Sequence, residues 1–71
     1  MSAIRKRQLL LNNLRFVAGL WKVRVNVNAW LQRIEMVLLE YPENFDVGRN
    51  LLIGDFEKNC RRAIVEGHFV V

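Results

Sequence analysis

The chain has 71 residues, a formal net charge of +4, one cysteine and one histidine. Its length allows a single domain, which buries only about 60% of the surface its unfolded form exposes. Cys60 alone excludes an internal disulfide, and one Cys with one His excludes a Cys/His zinc site of four ligands.

The charge is unevenly placed. Residues 1–34 carry seven bases and no acid, whereas residues 35–71 carry seven acids and four bases. A field of that kind selects partners and speeds encounter without determining the fold. Hydrophobic residues make up 52% of the chain, against ~45–50% in an ordinary domain with proportionally more interior. Such a surplus predicts association, most economically with a second copy, so a homodimer is expected. A lone thiol fits a reducing compartment, and a cytoplasmic location is expected. No apolar run approaches the ~18 residues of a membrane span, because Asn12, Asn13, Arg15, Lys22 and Arg24 interrupt every candidate. Residues 1–21 are Arg-rich and acid-free, as mitochondrial presequences are. With a single serine they read as the first helix of the mature domain.

The first predicted element is a helix over about 3–20 with Ser2 as its cap. Ile4, Leu10, Leu11, Leu14, Val17, Ala18 and Trp21 form one broad stripe on it. Leu9, Phe16 and Leu20 form a narrower stripe on nearly the opposite side. One stripe is expected to face the domain and the other a second molecule. The dimer interface is assigned to Leu10, Leu14, Val17 and Trp21, although either stripe could serve. Residues 22–28 then alternate polar and β-branched side chains, Lys22-Val23-Arg24-Val25-Asn26-Val27-Asn28, which predicts a half-buried strand. The alternative is helix running unbroken from 3 to 41.

Asn28 is the expected cap of a second helix over 29–40. On it Trp30, Leu31, Ile34, Val37, Leu38 and Tyr41 share an arc of about 120°. Pro42 ends it, and residues 41–49 read as a loop with Phe45 and Val47 turned inward. A third helix is predicted over 50–66, with Leu52, Ile53, Phe56, Cys60, Ala63 and Ile64 on one face. Gly54 would cost about 1 kcal/mol inside it, so Asp55 is an alternative start. Gly67 is the expected terminator, and residues 68–71 form an apolar tail. The fold class is thus mainly α, a small three-helix domain with a possible short strand at 22–28.

Catalytic chemistry is poorly represented. Ser2 is the sole serine and there is no threonine. Cys60 sits on an apolar stripe, which predicts a buried, protonated thiol. His68 has no acid or thiol nearby to orient it. Glu40, Glu43 and Asp46 lack the calcium-loop spacing, and Val47-Gly48-Arg49-Asn50 lacks the lysine of a phosphate loop. No enzyme, metal or cofactor is expected.

Binding is the better-supported expectation. Arg5-Lys6-Arg7 would point three ways around a helix. Lys22, Arg24, Asn26 and Asn28 would share one strand face able to grip carboxylates, phosphates or base edges. Trp, Tyr and Arg dominate interface energetics, so the partner-binding set is Arg5, Arg7, Lys22, Arg24, Asn26, Asn28, Trp30 and Tyr41. The first expectation is a non-enzymatic regulator of the inhibitor or anti-activator type. It would occupy a partner protein, favouring an acidic surface, and would block or redirect it. Small phage-borne or mobile-element-borne inhibitors have this size and plainness. The alternative is a dimeric nucleic-acid-binding regulator. A strand with outward polar residues, followed by helix, turn and helix over 22–66, resembles ribbon-helix-helix transcription factors. That resemblance implies that Lys22, Arg24, Asn26 and Asn28 would read bases from a paired strand. The long 41–49 loop, Gly54 and a preceding helix depart from that family's pattern.

Overall fold

A computed structural model describes residues 2–67, leaving the apolar tail from His68 onward outside the described residues. Three helices make up the fold: α1 (Ala3–Trp21), α2 (Val27–Glu40) and α3 (Phe45–Glu66). No strand forms among the described residues, and no helix there is long and apolar enough to cross a membrane. The molecule measures 36 × 18 × 17 Å, and its long axis matches the ~33 Å of the 22-residue α3.

α1 begins as its sequence predicts. Ser2 Oγ accepts a hydrogen bond from the Arg5 backbone N–H at 3.2 Å, satisfying one of the orphan donors of a helix start. At its other end Lys22 adopts φ 54°, the left-handed conformation. There its N–H donates to the Gly19 carbonyl and the Val23 N–H to the Ala18 carbonyl. That pair of bonds closes the helix as a Schellman motif. Glycine is usual at such a position, and a lysine there costs roughly 1 kcal/mol. Val23 and Ala18, joined by this turn, both belong to the core.

The expected strand at 22–28 is corrected to a short connector that runs directly into α2. Val23, Val25 and Val27 are half-buried against the core, while Lys22, Arg24, Asn26 and Asn28 are all exposed. The alternation therefore governs which side chains turn inward, but among the described residues only Val25 carries an isolated bridge and no ladder forms. Asn26, not Asn28, is the cap; its Oδ1 accepts from the Ala29 N–H at 3.3 Å. Asn28 lies inside the first turn of α2. Without the strand, the ribbon-helix-helix architecture is not what the described residues adopt.

α3 starts five residues earlier than the pattern suggests, at Phe45 behind Asn44. Gly48 misleads the sequence reading because it serves packing and not a loop. A Cβ built there would lie 2.8 Å from Val37 Cγ1 and 3.0 Å from Tyr41 Cβ. The missing side chain lets the first turn of α3 press against the last turn of α2. Val47, expected to tuck inward, is 52% exposed, whereas Phe45 packs on the core. Gly54 is an exposed interior residue of the helix with open space around it, and Gly67 ends the helix at φ 74°.

Each helix packs on both others. Lys6 lies over the Phe45 ring at 5.6 Å and Arg61 over Trp21 at 5.7 Å, so α1 and α3 run parallel, with α2 antiparallel between them. The core is Leu10, Leu11, Leu14, Val17 and Ala18 of α1, Trp30 and Ile34 of α2, and Leu52, Phe56, Cys60 and Ala63 of α3. Gly48→Ala should therefore cost about 1–3 kcal/mol through overpacking, measured by urea denaturation. Gly54→Ala should add up to about 1 kcal/mol, because nothing opposes the new methyl group.

Candidate functional site

The structure divides the side chains predicted to bind. Trp30 is fully buried and unavailable to a partner. Its ring meets Phe56 edge-on, with centroids 4.8 Å apart and planes at 82°, and its buried indole N–H has no acceptor among the described residues. Leu10, Leu14 and Val17, expected at a dimer interface, are buried in the core of their own chain. Trp21 is half-buried beneath Arg61. The physical reason is geometric: the broad stripe of α1 is the side that α2 and α3 cover. The narrower stripe is the outward one, with Phe16 68% and Leu20 67% exposed.

The basic run does point three ways. Arg7 pairs with Glu35 of α2, Lys6 covers Phe45 of α3, and Arg5 is exposed. Lys22, Arg24, Asn26 and Asn28 are exposed on the connector and the first turn of α2, with no shared strand to align them.

Tyr41 lies elsewhere, in a groove between α2 and α3. Arg33, Met36, Val37, Glu40 and Tyr41 line it from α2 and its end, and Leu51, Leu52 and Asp55 from α3. Arg33 stacks over Trp30 at 4.5 Å and pairs with Asp55, closing one end of the groove. Glu40 stands on its rim. Met36 is 57% and Leu51 56% exposed, and Leu39 and Val47 continue the exposed apolar surface on the same two helices. The groove's volume of about 250 Å³ is below the ~300–1,000 Å³ of small-molecule pockets. One or two anchor side chains of a polypeptide would fill it.

Sequence reasoning selected Tyr41 and missed the rest of this groove. The available signal was an apolar residue off the buried arc: Met36 and Leu39 on α2, Leu51 on α3. Such residues keep much of their apolar surface in water, and where clustered they can form a contact patch.

Among the described residues no group of three or more His, Cys, Asp or Glu is placed to hold a metal ion. Cys60 is buried, and burial, followed by the nearby Glu57 charge, raises its pKa above the ordinary 9.0. The folded state therefore keeps the thiol proton after the unfolded chain has lost it. Stability is unaffected by this group below about pH 9 and falls as pH rises beyond it. No family model, curated protein or solved structure matches the chain.

Urea melts between pH 8 and 10.5 should show wild type losing more stability than Cys60→Ala over that interval. Parallel curves would contradict burial of the thiol.

Proposed function

We propose that this chain is a small non-enzymatic binding protein that seats an apolar segment of a partner protein in the α2–α3 groove and thereby blocks or redirects that partner. One observation carries the reading: Met36 and Leu51 line a groove sized for anchor side chains and are each more than half exposed, with Leu39 and Val47 also exposed on the same two helices. An amphipathic helix laid between two antiparallel helices is a recurrent way of covering such a surface. Like charge disfavours a second copy as the occupant. Two grooves brought face to face in parallel would oppose Glu40 with Glu40, at the bundle end that also carries Glu43 and Asp46, and in the antiparallel arrangement Glu40 would meet an Arg33 already paired with Asp55. A foreign helix with a basic residue beside its apolar anchors meets no such repulsion. The cations of α1 and the connector, for which the sequence suggested an acidic partner surface, lie away from this groove. Homodimerisation, if it occurs, would have to use outward side chains, since Leu10, Leu14 and Val17 are already covered.

Leu51→Glu tests this directly, because Leu51 is 56% exposed and its replacement leaves the core intact. Wild-type protein should retain a stoichiometric protein from nuclease-treated lysate, and the Leu51→Glu variant, helical by circular dichroism, should lose it. Equal capture by both, or loss of capture on nuclease treatment, would overturn the reading. Sedimentation that shows a Leu51-dependent dimer would assign the groove to a second copy.

A further inference from the structure

We propose that the outer face of α1 formed by Arg5, Gln8, Asn12 and Arg15 is a second binding site, one that enters the major groove of duplex DNA. The four residues recur at helical spacing and are all exposed. At 100° per residue they lie about 140° around α1 from its buried stripe, with Gly19 continuing the row. No acid occurs anywhere on α1. Neither Arg5 nor Arg15 has an acidic partner among the described residues, whereas Arg7 and Arg33 are spent on Glu35 and Asp55.

Folding does not account for this face. Arg5 is one of three consecutive cations in the first two turns of a helix with no acid in its first turn. Cations there oppose the helix dipole. Gly19 carries no Cβ, and a Cβ added there would meet nothing within 4 Å. No contact inside the bundle requires that glycine, while an approaching backbone benefits from it.

The side-chain types select the ligand. An acidic protein surface would be matched by cations alone, but two amides occupy the centre of this row. Gln8 Nε2 donates to Asn12 Oδ1 at 3.0 Å, which holds the two amides side by side. Asparagine and glutamine recognise adenine in a bidentate manner, so the two central amides are the base readers and the flanking arginines meet phosphates. α1 is about 28 Å long and lies at the edge of the bundle, and a major groove about 12 Å wide accepts a helix. Lys22 at the end of α1 is exposed and placed to meet the phosphate backbone. With Arg5, Arg15 and Lys22 on phosphates, the logarithm of the binding constant should fall with log salt at a slope near −3.

The probe is a fluorescein-labelled mixed-sequence duplex of roughly 20 base pairs, titrated with the full chain between about 50 and 200 mM salt. Anisotropy should show micromolar binding at the low end and a slope near −3. Arg5→Ala and Arg15→Ala should each weaken binding severalfold and reduce the slope by about one. Arg15→Lys should restore the slope. Leu51→Glu, on the groove side, should leave DNA binding unchanged, so this site and the protein-binding reading fail separately. No duplex binding at low salt, or binding indifferent to Arg5 and Arg15, would overturn the proposal. Polyglutamate binding as tightly as the duplex would also overturn it and assign the face to an acidic protein.

Discussion

Burial of Trp30 is the constraint on which the rest of this molecule depends. A chain of this size has room for few large side chains inside, and Trp30, Phe56, Leu10, Leu14 and Ile34 take that room completely. The edge-on contact with Phe56 joins α2 to α3. Arg33 then covers the outer face of the indole and reaches Asp55, so one arginine closes the core and also forms an end of the α2–α3 groove. Moving the largest aromatic inward leaves the smaller apolar residues, such as Met36 and Leu51, on the surface. The α2–α3 groove is thus a consequence of how the core is filled.

Charge follows the topology in a similar way. The chain is strongly polar in sequence, basic before residue 35 and acidic after it. Antiparallel folding reduces that polarity in space. The start of α1 comes to rest beside the α2–α3 turn, where Glu40, Glu43 and Asp46 stand, and Lys6 and Arg7 turn toward α3 and α2. The opposite end keeps Lys22, Arg24, Arg61 and Arg62. On α1 itself the remaining basic side chains, Arg5 and Arg15, lie laterally along its outside, between that basic end and the acidic α2–α3 turn.

Much of this was legible in the residues. Ser2 and Gly67 mark helix ends where capping chemistry requires them, and the arc from Trp30 to Leu38 faces the core as its period demands. The alternation at 22–28 foretold the burial of every residue there, yet not the conformation. A strand also needs a neighbour to pair with, which no local pattern can supply. Gly48 was read as a loop residue because close helix approach and chain flexibility demand the same amino acid. The two stripes of α1 were both visible, but their assignment depends on where α2 and α3 lie. Trp30 and Tyr41 looked equivalent as anchors, and only three-dimensional packing separates the buried ring from the groove-lining one.

The central claim is that this core closes within a single chain and that partners meet what remains outside. Acrylamide quenching of the Trp21→Phe variant, which leaves Trp30 as the sole tryptophan, tests it most directly. The account predicts blue-shifted emission and strong shielding that persist unchanged on dilution from high to low micromolar protein. Emission quenched as readily as a free indole, or shielding lost on dilution, would contradict it.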